Sequence, residues 1–196
     1  MKDVVDFEEY MVCLEALYTE TDYSIGVSPS KTHACNLRPK LEKYVEDNSA
    51  VSMLDVGCGR GDVMEFYEFS SWLVAGSEIV TQLLSTDLSS FEEVYPYAIS
   101  DLQRLGTDLF DYVFFVNVLD HVWNPEDIVI GIEEGKRIAK YGIVVICDGE
   151  ENFQTVDFPR WQWKSLFGDF EKVDWYESET GFFRALALNT DVYFTP

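Results

Sequence analysis

The stretch Ser52-Met-Leu-Asp-Val-Gly-Cys-Gly-Arg-Gly-Asp62 decides the fold of this 196-residue chain. It begins with a short apolar run that reaches Asp55, continues through three glycines at alternate positions, and ends where a helical pattern begins at Asp62. Glycine is needed where the backbone adopts a positive φ or approaches a ligand closely. The start of a helix presents backbone N–H groups that have no partner within the helix. The stretch therefore predicts a buried strand, a tight turn and a helix whose start faces a ligand.

The spacing of these glycines indicates which kind of ligand the turn binds. The glycines follow the pattern G-x-G-x-G, whereas the dinucleotide fingerprint is G-x-G-x-x-G, and Asp62 occupies the position of its third glycine. Asp55, two residues before the first glycine, suits a cationic amine better than a pyrophosphate. The pattern favours a ligand that combines a nucleoside with an amino acid.

Composition restricts the class of protein and its location. A hydrophobic content of 47% is ample for a folded core, and we expect an N-terminal helical extension with a lid-like loop over residues 1–48 and one domain over 49–196. No apolar run reaches the roughly 20 residues of a membrane span, and the N-terminus lacks the apolar region of a signal peptide. Four widely spaced cysteines indicate a reducing cytoplasm and argue against a zinc site, so we expect no metal.

The chain is strongly acidic, with 36 acidic and 14 basic residues and a net charge of −22. Such a field repels phosphate backbones, so we do not expect a nucleic acid as partner or substrate. Solubility, a salt-adapted host, a cationic substrate and a basic protein partner are all compatible with this charge, and the sequence does not separate them.

Apolar strands alternate with helical segments from residue 51 onwards. We predict strands at about 51–56, 72–77, 94–99, 112–118 and 143–147, with helices at 61–69, 79–85 and 125–141, and we expect Gly142 to break the last of these helices. Such alternation predicts a parallel sheet covered by helices on both faces. A later helix starts near Asp157, and two strands at 171–177 and 182–188 then form an antiparallel hairpin. The last strand should therefore lie inside the sheet and its predecessor at the edge.

Leu54–Asp62 resembles motif I of the class I methyltransferases that use S-adenosyl-L-methionine (SAM), and Phe110–Glu126 is close to the methyltransferase type 11-like pattern. The resemblance covers residues 50–148 by motif and reaches the C-terminus by architecture. It implies an α/β, Rossmann-like, doubly wound sheet of seven strands, mostly parallel with an antiparallel C-terminal hairpin strand. It also implies SAM as the cofactor and in-line methyl transfer, by default to a small molecule and otherwise to a protein.

The carboxyl ends of the predicted strands supply the candidate site residues. After strand 2, Glu78 offers two oxygens for the hydroxyls of a ribose, and Asp101 after strand 3 offers a carboxylate for an adenine amino group. The resemblance assigns the amino group of SAM to Asp55. In all, it implies that the cofactor is bound by Asp55, Gly57, Cys58, Gly59, Glu78, Ile79, Ser100, Asp101, Leu102 and Asn117.

The residue that would act on the methyl acceptor is harder to assign. His121 is our candidate general base, and a purely structural imidazole at this position is the alternative. Two other functions also remain open. The first is a non-catalytic SAM-binding or partner-binding protein of the same fold, and the second is an NAD-dependent oxidoreductase. Equilibrium binding of SAM, S-adenosylhomocysteine (SAH) and NAD separates the three.

Overall fold

A computed structural model describes residues 52–58, 73–77, 93–122, 124–147, 158–177 and 183–189. The strands are β1 (Ser52–Val56), β2 (Leu73–Ser77), β3 (Glu93–Tyr95), β4 (Phe110–Val116), β5 (Ala139–Cys147), β6 (Lys172–Glu177) and β7 (Phe183–Leu188). The helices among these residues are α1 (Pro125–Ile138), α2 (Arg160–Leu166) and the 3-10 helices Ile99–Arg104 and Leu119–His121. The predicted N-terminal extension and the helices at 61–69 and 79–85 lie outside the described residues.

All of these strands belong to one sheet, in the order β3-β2-β1-β4-β5-β7-β6. The pairs β1–β2, β2–β3, β1–β4 and β4–β5 are parallel, whereas β7 runs antiparallel to both β5 and β6. The chain moves outward from β1 through β2 and β3 and then returns to the other side of β1 as β4. The predicted Rossmann-like α/β class is confirmed, and the strand order reverses between β1 and β4.

The two faces of the sheet are distinguished by the alternation of side chains along each strand. One face, called here the helical face, packs with Ile128, Ile132 and Ile138 of α1 and with Trp163 of α2. Its strand residues include Leu54, Val56, Val113, Phe115, Val145, Cys147, Phe183, Ala185 and Ala187. The residues between them form the opposite face, namely Met53, Asp55, Phe114, Val116, Val144, Ile146, Arg184 and Leu186.

Helix α1 begins where the sequence predicts it and ends earlier. The Asn124 side chain accepts a hydrogen bond from the backbone N–H of Glu126 at 3.1 Å, and Pro125 occupies the first turn. The prediction that the helix continues to Tyr141 and is broken by Gly142 is wrong, because β5 already begins at Ala139. Gly142 instead lies within β5, where a Cβ would collide with the carbonyl oxygen of Ala187 on β7.

Strand β3 is also shorter than predicted, since it ends at Tyr95 rather than near residue 99. The apolar residues that follow suggest a longer strand in the sequence. In the structure, Tyr97 and Ile99 pack against the core of the helical face, and Leu102 within the 3-10 helix is completely buried there. The chain leaves the sheet at this point because these side chains bury their apolar surface against α1 and β4 instead.

The segment α2–β6–β7 closes the other side of the sheet. Trp163 lies with its ring centroid 4.9 Å from that of Phe183, so α2 packs onto β7, while the exposed Trp161 does not. Glu177 at the end of β6 is paired with Arg160 at 3.2 Å and with Lys164 at 3.1 Å. The hydrogen bond from Lys164 is the main reason why the pKa of the Glu177 carboxyl lies below its ordinary value.

None of the helices in the described ranges has the length and apolar character needed to cross a membrane.

Candidate functional site

The two central strands, β1 and β4, each end in a residue with a positive φ. Gly57 follows β1 with a φ of 70°, and Asn117 follows β4 with a φ of 51°. A Cβ on Gly57 would lie 2.8 Å from the Cβ of Val118, so the two turns are in direct contact. The backbone N–H of Asn117 donates to the carbonyl of Ile146 at 2.8 Å and ties its turn to β5. These turns lie side by side at the carboxyl edge, where the strand order reverses. Open α/β sheets bind their ligands in a crevice at this position, which is called the crevice below.

Asp55 places a carboxylate beside this crevice. Its side chain is only 1% exposed, and it lies on the opposite face of the sheet because Leu54 and Val56 belong to the helical face. A buried carboxylate costs free energy unless opposite charge or hydrogen-bond donors compensate it. Cys58, one residue after Gly57, is likewise buried. An anionic group near the glycine turn is suited to hold a cationic amine.

The residues predicted to follow strand 3 lie in the 3-10 helix Ile99–Arg104. Asp101 has a carboxylate oxygen 3.0 Å from the Arg104 guanidinium, and Ser100 is exposed. Leu102 has its side chain in the core, and its carbonyl accepts a hydrogen bond from Arg137 in the last turn of α1 at 3.2 Å. The structure therefore brings Asp55, Gly57, Cys58 and Asn117 together at the crevice and places the Leu102 side chain elsewhere. Gly59, Glu78 and Ile79 lie outside the described residues.

His121 follows the Asn117 turn directly, in the short 3-10 helix Leu119–His121. Its backbone N–H donates to the carbonyl of Val118 at 3.0 Å, which holds the residue close to the turn. Its Nε2 lies 4.0 Å from a carboxylate oxygen of Asp120, which is buried, while the imidazole keeps part of its surface exposed. A neutral imidazole nitrogen can accept a proton, so His121 is suited to act as a general base toward a group bound in the crevice.

Arg184 on β7 is a residue that the sequence pattern does not mark as part of a site. It is paired in register with Ile146, which is paired with Val116, so one row of the opposite face leads from the end of β4 to Arg184. The ring of Tyr176 on β6 continues this row, with its centroid 4.9 Å from the Arg184 guanidinium carbon. The available signal was a single cation within the otherwise apolar run 182–188.

A metal centre is not evident in the parts of the chain that the structure describes. Within them, no three His, Cys, Asp or Glu side chains are grouped so that they could bind a metal ion.

The fold is that of an open α/β protein, a class that binds ligands where the strand order reverses. Residues 54–147 match a family model described as a methyltransferase domain. Over these residues the sequence is similar to the methyltransferase family, and solved structures of SAM-dependent methyltransferases share its fold. It is 27% identical over 119 residues to a ubiquinone biosynthesis O-methyltransferase of Rickettsia conorii, which covers 59% of this chain. The aligned part spans 40% of the length of that relative.

Solved structures show the same fold at low sequence identity. The N-methyltransferase NodS of Bradyrhizobium japonicum WM9, in complex with SAH, has a TM-score of 0.70 at 12% identity and covers 93% of this chain and 99% of its own. The 1,6-didemethyltoxoflavin-N1-methyltransferase of Burkholderia thailandensis has a TM-score of 0.65 at 15% identity and covers 93% of this chain and 87% of its own. At these identities the likeness supports the architecture alone.

Proposed function

We propose that this chain is a SAM-dependent methyltransferase that acts on a small-molecule acceptor. The observation that carries the proposal is the contact between the left-handed turns at Gly57 and Asn117 beside the buried carboxylate of Asp55. The residues fit the cofactor, because the carboxylate suits its cationic amino group and the glycine turn allows a close approach of the backbone. In this proposal the scaffold is the seven-stranded sheet with the antiparallel β7.

The proposed cofactor contacts follow the carboxyl edge of the sheet. Asp55 binds the amino group of SAM, and the backbone of residues 57–59 approaches its amino-acid moiety. Glu78 with Ile79 holds the ribose, and the segment Ser100–Leu102 lies along the adenine. Asn117 lies beside the sulfonium. When bound, SAM supplies a methyl group that can leave with the bonding electron pair retained by sulfur.

The protein's own contribution is positioning, exclusion of water and proton transfer. In this proposal the turns at the ends of β1 and β4 hold the acceptor in line with the methyl group, which lowers the entropic cost of the reaction. A hydroxyl or amine acceptor loses a proton as its lone pair forms the new bond. In this proposal His121 takes up that proton, and the Asp120 carboxylate lies 4.0 Å from its Nε2.

A small molecule is the acceptor that the comparisons favour. The Burkholderia thailandensis enzyme was crystallised with 1,6-didemethyltoxoflavin, and the Rickettsia conorii relative is named for ubiquinone biosynthesis. The net charge of −22 disfavours a nucleic acid, and a protein acceptor is the second possibility.

The test is calorimetric titration of SAM, SAH and NAD into the protein and its Asp55→Asn variant. We expect SAH to bind and NAD not to bind, and Asp55→Asn to weaken SAH at least about tenfold, since a buried charge-assisted contact is lost. Asp111→Asn is the matched control. Asp111 is also a buried carboxylate, but it accepts hydrogen bonds from Ser52 at 3.0 and 3.1 Å at the amino end of the strands. Binding of NAD instead of SAH, or equal SAH affinity in Asp55→Asn, would refute the proposal.

A further inference from the structure

Arg184 and Tyr176 form a cationic and aromatic pair at the carboxyl edge of the sheet. The guanidinium carbon of Arg184 lies 4.9 Å from the centroid of the Tyr176 ring, and the tyrosine is 47% exposed. The pair is cross-strand, since the two residues face each other in the β6–β7 register. It therefore presents a guanidinium and an aromatic surface next to each other near the end of the sheet.

We propose that this pair recognises the acceptor, and that the acceptor is an aromatic small molecule with a carboxylate group. The inference rests on the proposed function and names the substrate class of the same site. Arginine binds carboxylates through two parallel N–H donors, and an aromatic ring beside it offers a stacking surface for a planar molecule.

The register of the strands places Arg184 two strands away from the crevice, within reach of a bound small molecule. Val116, Ile146 and Arg184 are neighbours in one row across β4, β5 and β7, and Asn117 follows Val116 directly. Neighbouring strands are about 4.8 Å apart, so the backbone of Arg184 lies about 10 Å from the end of β4. The aromatic ring and the carboxylate of the acceptor bind at this pair, and the remainder of the molecule extends over this distance so that its accepting atom reaches the crevice.

The face on which Arg184 lies separates it from the other cations of this region. Arg160 and Lys164 are above the helical face, and both are paired with Glu177, so their charges connect α2 to β6. Arg184 alternates with Phe183 and Ala185 of that face and therefore shares the opposite face with Asp55. Asp55 is suited to the cationic end of the cofactor, and Arg184 is suited to an anionic acceptor.

The overall charge makes such a residue necessary for this class of acceptor. A protein with a net charge of −22 repels anions at long range, and a local cation has to compensate at the site. Salt weakens the long-range repulsion more than it weakens a short contact between the carboxylate and Arg184. Raising the ionic strength should therefore not abolish binding of a carboxylate at this position.

The experiment titrates benzoate and benzamide separately into the SAH-saturated protein and follows both by NMR. We expect benzoate to bind and benzamide, which has the same shape without the charge, to bind at least about tenfold more weakly. Arg184→Gln should remove this preference and leave SAH affinity within about twofold. Arg184→Lys keeps the charge but lacks the two parallel N–H donors, so it should retain part of the preference for benzoate. This variant tests the same point if Arg184→Gln does not fold.

Lys172→Gln is the matched control. Lys172 is exposed on the same face of β6 as Tyr176, but it is paired with Leu188 at the amino edge of the sheet. Its removal changes the net charge equally and should leave benzoate binding unchanged. Equal binding of benzoate and benzamide, or an equal loss in Lys172→Gln and Arg184→Gln, would overturn the assignment. Absence of SAH binding would count against the proposed function. In that case, titration of benzoate and benzamide without SAH would test the role of Arg184 separately.

Discussion

Gly57 and Asn117 have related roles at the residue scale. Each ends a central strand with a positive φ, and the Val118 side chain next to Asn117 lies against Gly57. The glycine turn after β1 was predictable, because glycine at a strand end is a direct sequence signal. The left-handed conformation of Asn117 was not, because asparagine also occurs in many other conformations and strand 4 was predicted to run through it. The site residue whose conformation depends on tertiary contacts was therefore placed in the wrong element.

Gly57→Ala should destabilise the protein and weaken SAH binding. Alanine at this position would have to adopt a positive φ, which costs about 1–3 kcal/mol for the backbone alone. Its Cβ would also overlap the Val118 side chain. Gly106→Ala is the control, since a Cβ at Gly106 has no atom within 4 Å. Denaturant unfolding and SAH titration of both variants check this. Equal stability of the two variants would contradict the role given to Gly57.

Helix α1 shows at the element scale why one boundary was predictable and the other was not. Its start is encoded locally, since Asn124 caps a residue two positions away. Its end depends on Asn189, whose side-chain amide donates to the carbonyls of Lys136 at 2.8 Å and Ala139 at 2.6 Å. These bonds satisfy carbonyls at the end of a helix that continues into β5 without a loop. A contact between residues about 50 positions apart in the sequence cannot be recognised from the local pattern. Gly142 was therefore predicted to end the helix, because glycine commonly breaks helices.

The two asparagines should respond differently to the same change. Asn124 uses its oxygen as an acceptor, so Asn124→Asp should change the free energy of unfolding little, because aspartate is an equally good cap. Asn189 uses its amide as a donor, and Asn189→Asp should cost about 1–3 kcal/mol, because two carbonyls lose their partner and meet a carboxylate instead. Urea unfolding of the two variants is the measurement. A larger loss in Asn124→Asp would show that these ends are held differently.

At the scale of the whole molecule, the alternation of strands and helices was sufficient to predict the fold class. Strands buried on both faces give strong apolar signals, and β4 was recognised from its apolar run. The alternation does not give the register between distant strands. The row from Val116 through Ile146 to Arg184 combines residues that are far apart in the chain, and it exists only once β7 has entered the sheet. The proposed cofactor end of the site was therefore accessible to sequence reasoning, whereas the proposed acceptor end was not.

Glu177 should make the attachment of α2 to the hairpin dependent on pH. Its carboxyl has a pKa below the ordinary value of 4.5, chiefly because of the hydrogen bond from Lys164, with smaller contributions from Trp175 and Arg160. A depressed pKa in the folded state means that the ionised carboxylate stabilises the fold above pH 4.5 and that this contribution is lost as the pH falls through the depressed value. The ion pairs are partly exposed, so we expect at most about 1 kcal/mol at neutral pH.

The wild-type protein alone does not isolate this effect, because acidification also reduces the repulsion within a chain of net charge −22. The measurement is therefore the difference in unfolding free energy between the wild type and Glu177→Gln, from pH 7 downwards. Glu133→Gln on α1 is the control, since it removes the same charge from an exposed position. At neutral pH the unfolding free energy of the wild type should exceed that of Glu177→Gln. This difference should decrease as the pH is lowered below 4.5, and it should be smaller at about 1 M salt, where the Debye length is about 3 Å. A difference that stays constant across this pH range, or that equals the Glu133 difference, would show that Glu177 does not couple α2 to the hairpin.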